Sequence, residues 1–261
     1  MPLITIDERL CTQEGACIDA CPAALLKRGE HSYPVEIEGA YKACIRCGHC
    51  VAVCRPGALA NDALPREGFE EIADLKTESD PLAFVMRTRR SIRAFREKPV
   101  PRTELKALFE VVRHAPTSNN TQSLWWIVTS DRDQTKALAD LARRWMRRAY
   151  WPEIPEDQWP DDDPVLRGAP HLALCCAPEA SRSSQVDAAI AVTHLDLLAA
   201  SRGIGTCWTG VFLRAIEGWP PLLEALSLPP GQKVFGGLIL GYPRHPFRLV
   251  PPRKPSAVDW R

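Results

Sequence analysis

Apolar residues follow two rhythms along this chain. Beyond residue 80 they recur at helical spacing in four stretches. Ser79-Asp80-Pro81 reads as a helix start, an N-cap followed by proline at the first helical position. Leu82, Val85 and Met86 carry that pattern forward and predict a helix running on through residues 87–95. Thr103 opens a second helix, with Glu104 in its first turn and Leu105, Leu108, Val111 and Val112 on one face, ending near His114-Ala115-Pro116. A basic helix is predicted over 133–150 around Leu138, Leu141, Ala142 and Trp145. The most regular one covers 184–202, with Ala188, Ala189, Val192, Leu195, Leu198 and Ala199 inward. Unbroken apolar runs predict strands instead: Leu3 to Ile6, 125–130, 171–177, the run starting T-C-W-T-G at Thr206, and 234–243 as a central strand. Cys175 and Cys176 fall inside one such run and read as core packing.

Between these stretches lie two polar segments. Residues 61–80 contain Pro65 and Gly68 and read as a linker. Residues 151–164, W-P-E-I-P-E-D-Q-W-P-D-D-D-P, form a long loop that is either a lid or partner-facing surface, or a disordered tether, although two tryptophans are unusual in a tether.

Composition narrows the class. A chain of 261 residues with 45% hydrophobic content supports one large domain or two modest ones. Net charge +1 gives no argument for nucleic acid. No apolar run approaches the ~18 residues of a membrane helix. The start M-P-L-I-T-I-D-E-R-L has no basic n-region, and no twin-arginine leader is present, so a cytoplasmic location is expected. Seven of the ten cysteines lie in the first 54 residues at metal-ligand spacing, which points to a reducing compartment.

Those cysteines carry the sharpest signal. Residues 44–56 read C-I-R-C-G-H-C-V-A-V-C-R-P, three cysteines two residues apart and a fourth three further on, the bacterial ferredoxin run. Gly48 gives such a loop its free backbone. Buried small hydrophobes or a zinc site are the bland alternatives, but zinc prefers paired C-x2-C knuckles. The fourth cysteine of such a run serves a second cluster, and an earlier run exists: C11-T-Q-E-G-A-C17-I-D-A-C21-P22. Crossed pairing assigns Cys44, Cys47, Cys50 and Cys21 to one 4Fe–4S cluster. Cys11, Cys17 and Cys54 fall to a second, 4Fe–4S or 3Fe–4S, with Glu14 where a second cysteine would stand. A carboxylate is a harder, weaker ligand for such iron, so Glu14 either ligates or is a solvated neighbour.

Stored single electrons need a consumer. Arg89, Arg90, Ser91 and Arg93 place three guanidiniums and a hydroxyl at a helix end, a set suited to phosphate. With A-P-T-S-N-N-T-Q (115–122), G-I-G-T-C-W-T-G (203–210) and G-Y-P…P-P-R-K-P, this order over residues 81–261 resembles the nitroreductase flavoproteins. The resemblance implies an α+β fold, a mainly antiparallel sheet wrapped by helices, with FMN at a homodimer interface. It implies that Arg89, Ser91 and Arg253 hold the FMN phosphate, with Arg90 beside them, and that Arg93 lies over the N1–C2 edge of the ring. It further implies Asn120 and Gln122 at the ribityl chain or ring edge, and Thr209 and Gly210 near N5. The family's usual Pro-Trp after the glutamine is Ser123-Leu124 here.

The expected organisation is therefore a ferredoxin-like domain (1–60), a linker (61–80) and a nitroreductase-like FMN domain (81–261). No side-chain catalyst is needed, since the flavin carries the chemistry, and His171 and His194 are read as structural. The expected function is a relay from clusters to FMN, which reduces a small electron-poor acceptor such as a nitroaromatic, a quinone or an activated alkene. NAD(P)H or a ferredoxin would be the donor. The alternative is an electron-transfer subunit bridging a redox partner, with no small substrate of its own.

Overall fold

The computed structural model of the protein describes residues 2–75, 80–159 and 162–261. It divides into two compact units, one of residues 1–89 with 245–261 and one of residues 90–244. Its boundaries are not those of the ranges 1–60, 61–80 and 81–261 expected from the motifs and the resemblance.

The first unit begins with β1 (Ile4–Ile6), α1 (Ala16–Ala20), β2 (Leu26–Arg28), β3 (Pro34–Glu36), α2 (Ala40–Ala43), α3 (His49–Val53) and β4 (Leu59–Asn61). β1 pairs antiparallel with β4, and β2 with β3, giving two small ribbons around the two short cysteine-bearing helices. Its core is Leu3, Ile4, Leu25, Leu26, Val51, Ala52, Val53 and Leu59. The stretch expected to be a linker is structured over β5 (Glu70–Glu71) and α4 (Ile72–Leu75). α5 (Pro81–Thr88) follows, its start fixed by the Asp80 carboxylate accepting from the amides of Leu82 and Ala83. Ser79, the other N-cap candidate, lies outside the described residues.

The second unit holds α6 (Arg102–Val112), β6 (Trp125–Val128), α7 (Arg132–Tyr150), β7 (His171–Pro178), α8 (Ser184–Ser201), β8 (Gly205–Trp208), α9 (Gly210–Gly218), α10 (Pro220–Leu226) and β9 (Gln232–Gly241). Its sheet has the order β6-β7-β9-β8, and every pair is antiparallel. β7 and β9 are the inner strands. All of His171 to Ala177 is buried, so this run shows no polar alternation. α8 lays Ala188, Ala191, Val192, Leu195 and Ala199 into the core with Leu105 and Leu108 of α6. Ala189, expected inward, is exposed, and Ala191 takes the inward place. The fold is α+β, as expected.

The last strand, β10 (Leu249–Val250), returns to the first unit. It pairs antiparallel with β5, Leu249 joins the core, and the Phe247 ring packs edge-on against His49. Arg248 ties the return with two bonds to the Glu71 carboxylate, at 3.0 and 2.6 Å, and one to the Arg55 carbonyl.

One further expectation is corrected. The helix predicted to run through residues 87–95 stops at Thr88. Beyond it Ser91 forms a parallel bridge with Thr206, and the Ile92 amide donates to the Thr206 carbonyl. Pairing with β8 wins over continued helix because Gly205 admits the Ile92 side chain; a Cβ there would lie 2.6 Å from it. In the described part of residues 151–164, a 3-10 turn at Glu156–Gln158 and a Trp151–Trp159 ring contact at 5.3 Å are present.

Candidate iron–sulfur and flavin sites

In the first unit, Cys21, Cys44, Cys47 and Cys50 line one cavity, together with Leu3, Ile4, Leu25, Leu26, Ile45 and Asn61. These are the four thiols that crossed pairing assigns to one cluster. Three arrive from the turn leading into α3, where Gly48 has φ 71° and the Pro251 side chain would lie 2.8 Å from a Cβ. The sharp turn and the tight packing both exclude other residues at Gly48. Two donors point at sulfur: the Leu25 amide to Cys21 Sγ at 3.3 Å and Asn61 Nδ2 to Cys50 Sγ at 3.7 Å. Apolar walls with a few N–H donors are the surroundings that a low-dielectric cluster pocket requires.

Among the described residues, no three His, Cys, Asp or Glu side chains converge as around one metal ion. A mononuclear centre draws every sulfur to about 2.3 Å of a single point, whereas cluster thiolates each meet a different iron. Four thiols at ferredoxin spacing around one cavity fit a 4Fe–4S cluster.

The second set is looser. Cys17 is buried and its thiol is pushed up to about 12 by burial, with Cys54 and Cys50 nearby adding to the effect; burial likewise holds Cys50 at about 11. Loading iron at such thiols must expel protons. Cys54 also lies near the Arg248 guanidinium. Cys11 is held by its amide on the Asp7 carbonyl. The exposed Glu14 carboxylate accepts from the Thr12 hydroxyl at 3.3 Å, and Arg28 straps the loop through the carbonyls of Gln13 and Glu14.

The flavin candidates fall into three groups. Ser91 sits on the bridge to β8, and the Arg93 guanidinium donates to the Ser91 carbonyl at 3.1 Å; Arg90 is buried. Thr206, opposite Ser91, donates its hydroxyl to Asp196 of α8. Three residues on, Thr209 caps α9, which starts at Gly210. Its hydroxyl is buried and has no partner among the described residues. Arg167, outside every motif, joins this region: burial lowers its pKa first, and the neighbouring Arg93 charge lowers it further, with Cys207 also close. Crowded guanidiniums and, on the same β8–α9 segment, a buried hydroxyl suit an anionic, hydrogen-bonding ligand such as FMN.

The second group is the exposed turn where Gln122 Nε2 donates to Asn120 Oδ1 at 3.2 Å. The Ser118 amide in that turn donates to buried Asp187 of α8 at 3.0 Å. Asp187 and Asp196 are nine residues apart, so the two groups grip α8 about 13 Å from one another along its axis. The third group, Arg89 and Arg253, belongs to the first unit, and Arg253 is exposed.

Both histidines are accounted for structurally. His171 is fully buried, with Nε2 accepting from the Val100 amide and Nδ1 facing the Thr129 carbonyl. That pairing requires the neutral ring with its proton on Nδ1. His194 turns Nδ1 to the Ile190 carbonyl on its own helix.

Comparison with known proteins finds two families along the chain. Residues 86–242 match the model of the nitroreductase family, and residues 3–55 match that of the 4Fe-4S dicluster domain. The FMN reductase [NAD(P)H] of Bacillus subtilis is 28% identical over 177 residues, covering 59% of this chain and 62% of that protein. A "Ferredoxin 7Fe" of Hydrogenibacillus schlegelii is 29% identical over 68 residues, 26% of this chain and 82% of that ferredoxin. A solved nitroreductase with bound FMN from Desulfitobacterium hafniense superposes with a TM-score of 0.58 at 18% identity, covering 70% of this chain and all of that one, a likeness of fold. The chain belongs to the nitroreductase family, as an FMN-dependent oxidoreductase fused to a 4Fe-4S ferredoxin domain. No helix among the described residues is long and apolar enough to cross a membrane.

Proposed function

We propose that this protein passes electrons singly through its iron–sulfur clusters to FMN, which reduces an electron-poor small molecule such as a nitroaromatic, a quinone or an activated alkene. The observation that carries the reading is the cavity shared by Cys21, Cys44, Cys47 and Cys50 in a chain whose other unit has the nitroreductase fold. The clusters supply one-electron storage and the flavin converts it to two-electron chemistry.

The chain's own residues bind and orient. Arg89, Ser91 and Arg253, with Arg90 beside them, hold the FMN phosphate. Arg93 sets a fixed cation at the N1–C2 edge, where negative charge develops on reduction. Thr209 offers a buried hydroxyl with no partner among the described residues, and Gly210 lets backbone approach the ring. Asn120 and Gln122 lie on the turn that the Ser118 amide ties to Asp187 of α8, at the ribityl chain or ring edge. A homodimer, in which each copy completes the other's site, belongs to this reading as part of the family resemblance. In the ferredoxin part, Glu14 bonded to Thr12 supports three protein ligands, Cys11, Cys17 and Cys54, hence a 3Fe–4S centre beside the 4Fe–4S one.

Flavin loading tests the phosphate assignment. Losing one charged fork to phosphate costs ~1.5–3 kcal/mol, roughly ten- to a hundred-fold in affinity. Arg89→Ala and Arg253→Ala should each yield folded, flavin-poor protein, and full occupancy in both would remove those residues from the site. Anaerobic mixing tests the relay: a reduced carrier or viologen should bleach clusters first and flavin second. NAD(P)H bleaching the flavin while the clusters stay oxidised would reverse the order of entry. A bridging electron-transfer subunit is the second reading, favoured by the exposed Leu10 beside Cys11; turnover of any small acceptor at the flavin would exclude it.

A further inference from the structure

Around the four-thiol cavity the surface has a distinct character. Ile45 lines that cavity and is also 67% exposed, so an apolar side chain at the cavity wall stands open to solvent. Ile37 and Tyr41, from the turn and helix just before it, are exposed as well. A large aliphatic side chain is seldom left this open over a functional pocket; apolar surface rimmed by polar groups marks an interaction site. The polar groups beside it in sequence are Lys42 and Arg46, on either side of Cys44 and Ile45. Both are exposed, and neither makes an ion pair among the described residues. Against Glu38 they leave the stretch 37–47 with two cations and one carboxylate.

We propose that the face formed by Ile45, Tyr41, Lys42 and Arg46 docks a small acidic one-electron carrier protein, which reduces the cluster held by Cys21, Cys44, Cys47 and Cys50. This rests on the relay reading above and names its donor. Three half-open apolar side chains are far short of the ~1,600 Å² of a stable interface. They suit the small, transient encounters of redox proteins, which fall below about 1,200 Å². Unpaired cations in this stretch raise the rate of encounter with an acidic partner rather than its residence time. The step is the transfer of one electron from the carrier's reduced centre to the oxidised cluster. The carrier ends oxidised and the cluster reduced, and no covalent bond or proton changes place.

The test uses the full cluster- and flavin-loaded protein in anaerobic stopped flow. The probe is a pre-reduced acidic [2Fe–2S] ferredoxin, with methyl viologen radical as a small donor that needs no docking face. The reading is the ratio of the ferredoxin rate to the viologen rate of cluster bleaching. The double substitution Lys42→Glu with Arg46→Glu should lower that ratio about tenfold or more at low salt, and raising the salt should shrink the difference. Ile45→Ser should lower it at every salt concentration. A ratio unchanged in both variants overturns the proposal. So does a change of molecular mass in Ile45→Ser, which would make the face a contact between copies of this chain. The relay is read separately from flavin bleaching. If the ratio falls as expected while the flavin stays oxidised, the docking face stands and the relay fails; if viologen-reduced clusters reduce the flavin but the ratio never changes, the reverse holds.

Discussion

Three of the four thiols around the cavity come from seven consecutive residues, Cys44 to Cys50, and the fourth, Cys21, ends the neighbouring short helix. The flavin candidates of the second unit have no such economy. Ser91 reaches position by bridging to Thr206, Thr206 is anchored on Asp196, and Thr209 follows at the start of α9. The first site is written in local spacing and the second in long-range pairing. A local site should fail at its own residues, and a distributed one at residues that touch no ligand.

The largest expected effect follows from the first half of that contrast. Cys47→Ala removes a ligand that no nearby residue replaces, and iron per chain should fall by about four. FMN content should stay unchanged. Iron analysis beside the flavin absorbance checks both, and joint loss would show that the sites are not separable.

Gly205→Ala probes the other half. The added Cβ would sit 2.6 Å from Ile92, against a β-branched side chain with little freedom to turn. Overpacking of this kind costs about 1–3 kcal/mol. Flavin retention should drop although Gly205 is no flavin ligand, with iron content untouched. Retained flavin at full occupancy would mean that the Ser91 bridge does not set the site.

What the sequence made legible follows the same division. The cysteine spacing named all four thiols that line the cavity, because a tight loop's geometry is fixed within a few residues. It did not name Asn61, whose amide donates to Cys50, since a lone asparagine after a short apolar strand has no motif. In the second unit the helices 102–112, 132–150 and 184–201 and the four strands were readable from apolar rhythm. The end of α5 was not, because pattern alone cannot show Ile92 preferring β8 to one more helical turn. Arg167 was missed for a similar reason: it is drawn against Arg93 by tertiary structure.

Thiol chemistry sharpens the contrast at a smaller scale. Burial in β7 pushes both Cys175 and Cys176 up to about 12. Near neutral pH they stay protonated, so an alkylating reagent should spare them in native protein and modify them only after unfolding. Peptide mapping by mass spectrometry would reveal early labelling if the strand opens readily.

The smallest expected effect concerns the return of the chain at β10. The Arg248 side chain holds Glu71 below the usual carboxylate range. A lowered folded-state value means that the stabilisation is present above the unfolded value, about 4.3, and is lost as pH falls through the folded one. The pair is more than one-third exposed, so screening limits it to about 1 kcal/mol. Glu71→Gln should lower the melting temperature slightly at neutral pH, and that difference should vanish on acidification. A constant difference would assign the loss to packing.

The pairing of β10 with β5 makes residues 90–244 an insertion within the other unit, joined to it at both ends. Synthesis is ordered by the same arrangement. The cysteines emerge first, yet Leu249 and the Arg248–Glu71 bonds that finish their unit come only after the whole flavin unit has been made. For that interval the cluster ligands sit in an unfinished fold, so the last stage of cluster enclosure waits for the return of the chain.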